Sequence, residues 1–268
     1  LILSYNKVPN LSPLASLNKL NTLHLWTNQI SDISALNNLK EMQTLDIGNN
    51  LISNTSTLGI LTKLSYLDLS YNKISNIAAL TNLTNLTGMH LEYNQITDLS
   101  PIKKMTALNW LRIADNNITD ISPLANLTKL TYLGMWDNQI KDIQPVSNLT
   151  ELTWLSLWNN QIVDISPLAR LTKLTGVRLN NNLISDVSPL ANLSAINTEV
   201  NLASNQITDI SPLANMKNTF MLYLEDNCIG NAAVLPKNIT VSLGTQKPSD
   251  QCKALDTTPD KFTFTDQL

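Results

Sequence analysis

The stretch "LTYLGMWDNQIKDIQPVSNL", Leu130–Leu149, decides how the whole chain is read. Its aliphatic side chains fall at Leu130, Leu133, Met135, Ile140, Ile143, Val146 and Leu149, with Asn138 dividing the two groups. The same frame, L-x-x-L-x-L-x-x-N-x-I-x-x-I-x-x-L-x-x-L, surrounds Asn6, Asn28, Asn50, Asn72, Asn94, Asn116, Asn138, Asn160 and Asn182, each 22 residues after the last. One inserted residue then shifts the series to Asn205 and Asn227. A fixed period in this range marks a repeat architecture. Eleven copies, the first and last incomplete, span 1–230, and 231–268 is expected to form a C-terminal cap and tail.

The L-x-L pair has period 2 and gives one short strand per repeat, and stacked repeats bring those strands into a parallel sheet about 4.8 Å apart. The other aliphatic positions turn inward from the return path. Each coil buries about seven aliphatic side chains only against its neighbours, so the stack is a one-dimensional solenoid. Asn carries both donors and an acceptor, so the stacked Asn side chains can satisfy backbone groups in the turn after each strand.

The return path reads "DISPLANLTKL" or a close variant. Ser-Pro recurs at Pro13, Pro101, Pro123, Pro167, Pro189 and Pro212, with Gln144 in place of Ser before Pro145. Ser as cap and Pro at the first helical position predict a single helical or 3₁₀ turn on the convex side. Asp32, Asp98, Asp120, Asp142, Asp164, Asp186 and Asp209 share one repeat position, two residues before that Ser in most copies. Backbone capping is the plainer account of them; a calcium-binding ladder is the alternative.

With "NQISDISPLANLTKLTYL" phrasing and a 22-residue frame, the chain resembles the leucine-rich repeat domains of bacterial internalins. The resemblance implies an α/β fold: a right-handed curved solenoid with a parallel β-sheet on its concave face and 3₁₀ or short helical turns on its convex face. It also implies a protein secreted by, or on the surface of, a Gram-positive-like bacterium, gripping a host protein with the concave sheet. The same repeat class includes intracellular phosphatase-1 regulatory subunits, which bind partners by the same face.

With the first Leu of the repeat numbered 1 and Asn 9, positions 4 and 6 point inward and 3, 5, 7 and 8 face the concave side. All five tryptophans fall at the latter, as do all six tyrosines and both histidines, His24 and His90. Four positions in 22 cannot collect thirteen of thirteen such residues by chance. Position 3 runs Tyr66, Gly88, Trp110, Tyr132, Trp154, Gly176, while position 7 sets Trp136 beside Trp158. Trp110, Tyr132, Trp136, Trp154 and Trp158 are therefore expected to form one exposed aromatic patch, the kind of surface that anchors interfaces. Position 5 runs His24, Asp46, Asp68, His90, Arg112, Gly134, Ser156, a charged arc beside the patch that suits a protein partner. The residues expected to contact a partner are Trp26, Tyr66, Tyr71, His90, Tyr93, Trp110, Arg112, Tyr132, Trp136, Trp154, Trp158 and Arg178. A protein ligand such as a host receptor ectodomain, bound by a monomer, is the first expectation; a glycan stacked on the aromatic rows is the other.

Other classes fit poorly. No Ser, Cys or Lys stands as an activated nucleophile, and a flat sheet offers no water-excluding pocket, so an enzyme is not expected. His24 and His90 lie three strands apart, about 14 Å, too far to share a metal, and no metal or other cofactor is expected. A net charge of −3 without a basic cluster argues against nucleic acid, and no apolar run reaches the roughly 20 residues of a membrane span. The chain opens at Leu1 inside the strand pattern and reads as a mature fragment without its targeting segment.

The extra residue between Ile196 and Val200 predicts a bulge that redirects Glu199 or its neighbour. Past Asn227, "NITVSL" alternates and predicts a closing strand over the last coil, and "KFTFTDQL" alternates again. Cys228 and Cys252 are the only cysteines. In an oxidising compartment they would pair, closing a loop of about 24 residues for roughly 3 kcal/mol; in the cytosol they would stay reduced. Sequons such as Asn82-Leu-Thr84 recur because the repeat itself contains "NLT".

Overall fold

The structure, a computed structural model, describes residues 1–248 and 250–252. The first repeat contributes only an isolated bridge at Ile2, each later repeat yields one three-residue strand, and one more strand follows the last repeat: β1 (Thr22–His24), β2 (Thr44–Asp46), β3 (Tyr66–Asp68), β4 (Gly88–His90), β5 (Trp110–Arg112), β6 (Tyr132–Gly134), β7 (Trp154–Ser156), β8 (Gly176–Arg178), β9 (Glu199–Asn201), β10 (Met221–Tyr223) and β11 (Thr240–Ser242). They form a single sheet in chain order, every pair parallel, as the right-handed crossover of successive coils requires. Register is in step with the repeat, so Trp110 faces Tyr132 and Tyr132 faces Trp154. Positions 4 and 6, such as Leu133 and Met135, are fully buried, and one apolar column runs from Leu11 to Leu235.

The Asn ladder joins each coil to the one before it. Asn138 Oδ1 accepts the N–H of Ile118 at 3.0 Å, and its Nδ2 donates to the carbonyls of Ile113, Met135 and Trp136 at 3.0–3.2 Å. Every bond but those inside its own turn reaches back into the preceding coil. The next coil along, built on Asn160, repeats the set. After the last Asn of the series the role passes to Gln246, whose Oε1 accepts from Ile229 N–H while Nε2 donates to Leu224 and Leu243 carbonyls.

The convex side carries 3₁₀ turns, among them Ser122–Leu124 and Gln144–Asn148, and no α-helix among the described residues. Ser does not cap these turns, contrary to the expectation above; it occupies their first position and makes no capping bond from its side chain. Asp two residues earlier does the work: Asp120 Oδ1 accepts from Ser122 N–H at 2.8 Å and Oδ2 from Ser122 Oγ–H at 3.0 Å. The same pair recurs at Asp32, Asp98, Asp164, Asp186 and Asp209, while Asp142 accepts only the Gln144 N–H, and those bonds hold the carboxyls of Asp32 and Asp209 below the usual range. Asn10, Asn54 and Asn76 supply the same acceptor where Asp is absent.

Position 8 is left-handed in every repeat, with φ between 48° and 59° from Tyr5 to Asp226. Asn and Asp tolerate that backbone, whereas Thr27, Tyr71 and Tyr93 adopt it at a cost. The inserted residue interrupts the ladder between β8 and β9, whose pairing starts only at Val177 with Val200. The closing strand is β11, paired with β10. Cys228 and Cys252 lie at disulfide distance, Cα atoms 5.5 Å apart; "KFTFTDQL" lies outside the described residues.

Candidate binding surface

The concave positions form two aromatic rails with a charged trough between them. Along the position-3 rail, Trp110 and Tyr132 stack with ring centroids 3.8 Å apart and planes 6° apart. On the position-7 and position-8 rail, Trp136 and Trp158 lie near-parallel at 6.0 Å, Tyr71 stacks on Tyr93 at 4.1 Å, and Trp26 meets Tyr71 edge-on at 5.8 Å. Such pairs add about 0.5–1.5 kcal/mol beyond burial and fix ring orientation.

Glycines seat these rings. A Cβ on Gly134 would stand 2.6 Å from Trp136 Cζ3 and 3.3 Å from Tyr132 Cε1, so both rails lean over Gly134 and meet there. Gly176 lies under the Trp154 ring, Gly48 under Trp26, and Gly88 beside Tyr66. Trp26, Trp136 and Trp154 consequently each lie over a glycine, while Trp110 and Tyr132 stack face to face. Trp110 is 36% exposed, while Tyr132, Trp136, Trp154 and Trp158 are half-buried, less open than the sequence implied. Gly176→Ala is expected to lift Trp154 at a cost of about 1–3 kcal/mol. Loss of tryptophan signal in the near-ultraviolet circular dichroism, with the far-ultraviolet spectrum unchanged, would register it.

Guanidinium groups complete the C-terminal half. Arg112 Cζ lies 5.5 Å from the Trp110 centroid and 5.3 Å from that of Tyr132, and Arg178 Cζ lies 5.5 Å from that of Trp154. Arg178 also makes a two-pronged pair with Glu199, Nε to Oε1 at 3.0 Å and Nη2 to Oε2 at 2.8 Å, which raises its pKa. The bulge thus turns Glu199 toward Arg178. Beside it, Trp154, Thr198, Phe220, Met221 and Tyr223 line a shallow depression of ≈ 380 Å³.

The N-terminal half of the trough is acidic. His24 Nδ1 lies 3.4 Å from Asp46, and His90 Nδ1 lies 3.6 Å from Asp68 and 3.8 Å from Glu92. Arg112 stands 3.9 Å from Glu92. Asp68 and Glu92 are each only 7% exposed. Burial pushes the Glu92 carboxyl up to about 7 and the Tyr66 phenol up to about 12. Burial and the neighbouring Asp68 raise Asp46, and burial lowers the His90 imidazole. Glu92 Oε2 and Arg112 Nε are buried without a hydrogen-bond partner.

The family model for leucine-rich repeats, in two-copy units, matches 19–60, 62–104, 106–148 and 150–192. An internalin (inlF) from Listeria monocytogenes superposes with a TM-score of 0.78 at 37% identity, over 91% of this chain and 80% of that one. The chain belongs to the internalin-like leucine-rich repeat family. Internalin C2 (inlC2) of the same organism is 40% identical over 70% of this chain and 83% of its own, with a TM-score of 0.68. A plant peptide hormone receptor, RGFR1 in complex with RGF2, shares the fold at 22% identity and a TM-score of 0.71 over 89% of this chain and 45% of that one. No curated protein matches the chain.

In this internalin-like frame, Trp110, Arg112, Tyr132, Trp136, Trp154 and Trp158 gather into one continuous aromatic and guanidinium surface. Trp26, Tyr71 and Tyr93 form a second group, with Tyr66 and His90 in edge contact at 5.5 Å on the far wall of the acidic trough. Arg178 is committed to Glu199 rather than free. Glu92 and Phe220 were missed from sequence, while Glu199, expected to be redirected by the inserted residue, pairs with Arg178. Glu92 stands at position 7 in line with Trp26 and Trp136, and that alignment was the available signal. Gly48, Gly88, Gly134 and Gly176 could have been recognised because each sits beside an aromatic in its column or strand.

Proposed function

We propose that this internalin-like protein is a non-enzymatic recognition module, secreted or held at a bacterial surface, that binds a host protein through its concave sheet. The observation that carries the reading is the aromatic surface from Trp110 to Trp158, whose rings are pre-set by stacking and by glycine seats rather than free to rotate. A face ordered before binding loses little side-chain entropy on docking, and Trp, Tyr and Arg are the residues that dominate interface energetics. An oxidising compartment suits the cysteine pair at the end of the stack. No helix among the described residues is long and apolar enough to cross a membrane.

The test is binding to a panel of soluble host ectodomains beside a glycan array, with wild type and Trp136→Ala/Trp158→Ala. Ectodomain binding is expected, and the double variant should weaken it at least about thirtyfold, the range of an interface hot spot. Glycan binding with no ectodomain binding would replace the protein partner by a sugar. Equal ectodomain affinity for both proteins would remove the aromatic surface as the site.

A further inference from the structure

The acidic half of the trough has an imbalance that its own residues do not resolve. Asp46, Asp68 and Glu92 come from three consecutive repeats, and the imidazoles and guanidinium beside them stand at 3.4–3.9 Å. Elsewhere the protein closes its ion pairs fully, at 2.6 Å for Lys63–Glu41 and Lys173–Glu151 and 2.8 Å for Arg178–Glu199. Glu92 is more than nine-tenths buried, and its Oε2 has no partner. Above this floor stand Tyr71 and Tyr93, 43% and 40% exposed, whose stacked rings join Trp26.

We infer that this half of the concave face receives a basic side chain of the protein partner, a lysine or arginine seated over Asp46, Asp68 and Glu92 and walled by Trp26, Tyr71 and Tyr93. The inference rests on the reading of the concave sheet as a protein-binding face. Three carboxylates select a cation by charge complementarity, and the aromatic wall selects one that carries an apolar stem and is attracted to ring faces. A metal ion would use the charge but not the apolar wall, and among the described residues no three His, Cys, Asp or Glu side chains converge closely enough to hold one. The protein already pairs cations with rings in its other half, where Arg112 and Arg178 lie over Trp110, Tyr132 and Trp154.

A cation docked there favours ionised Glu92, so binding releases a proton and tightens as pH rises through about 7. The charged and titratable groups around Glu92 are Asp68, His90, Arg112 and the Tyr66 phenol.

A hexa-arginine peptide, charged at every working pH, is the probe, titrated calorimetrically at low salt. Asp46→Asn/Glu92→Gln is expected to weaken its binding about tenfold or more. Glu41→Gln/Glu151→Gln, which changes net charge equally at exposed sites, should change it less than about twofold. Affinity for wild type should rise between pH 6 and pH 8, and the rise should be smaller in Glu92→Gln. Equal loss in both pairs, no loss in the first pair, no binding by wild type, or the same pH slope without Glu92 would each overturn the inference. Trp136→Ala/Trp158→Ala should keep the peptide, so its ectodomain result bears on the earlier reading alone.

Discussion

Asn138→Ala is expected to destabilise the protein by about 3 kcal/mol. The side chain makes four hydrogen bonds, but they are unequal in what their loss leaves behind. Three carbonyls keep another donor: Asn116 on Ile113 O, Asn160 on Met135 O, and Asp115 N–H on Trp136 O. The buried N–H of Ile118 has only Asn138, and stranding it accounts for most of the cost, about 1–3 kcal/mol by itself. Asn138→Asp should fare no better. Its carboxylate keeps the acceptor for Ile118 but turns an oxygen toward three carbonyl oxygens. Urea unfolding of the two variants checks both statements; an Asp variant as stable as wild type would mean that the Nδ2 bonds contribute nothing.

Glu92→Gln should do the opposite and stabilise the protein at pH 8 by about 2–3 kcal/mol. Burial raises the Glu92 pKa from 4.5 to about 7 in the folded chain, and that difference corresponds to about 3 kcal/mol. The sign follows from the proton count. Below about pH 4.5 the carboxyl is protonated in folded and unfolded chains alike, and Glu92 carries no penalty. Between 4.5 and about 7 only the unfolded chain ionises, so stability falls with rising pH. Above about 7 the loss is complete. Glutamine, neutral throughout, escapes it, and the gain over wild type should vanish near pH 4. Chemical unfolding at pH 4, 6 and 8 tests this. The same substitution should weaken the basic-peptide contact, so one residue trades stability for recognition.

Much of this was readable from the residues, for a physical reason. A coil of 22 residues can bury its seven aliphatic side chains in only one way, so Leu133, Met135 and Asn138 declare their surroundings by spacing alone. The rails were readable because position 3 or 7 has nowhere to point but the concave side. Contacts set by the curvature and twist of the sheet were not readable. Spacing does not say that Trp136 and Tyr132 both lean over Gly134, or that Arg178 spends its charge on Glu199 across a bulge. Nor does it separate Ser122 from Asp120 as the group that caps a turn, because both are good acceptors two residues apart.

The backward reach of the ladder gives the solenoid a polarity in time and in failure. A coil's inner N–H is satisfied by a side chain about 20 residues downstream, so during synthesis each turn is finished only once its successor has emerged. Removing a coil from the C-terminal side therefore injures the coil that remains, whereas removing one from the other side leaves its neighbour's inner N–H served. Gln246 is what ends this debt. By answering Ile229 from outside the series, it gives the stack a terminus at which unravelling has to begin by breaking something.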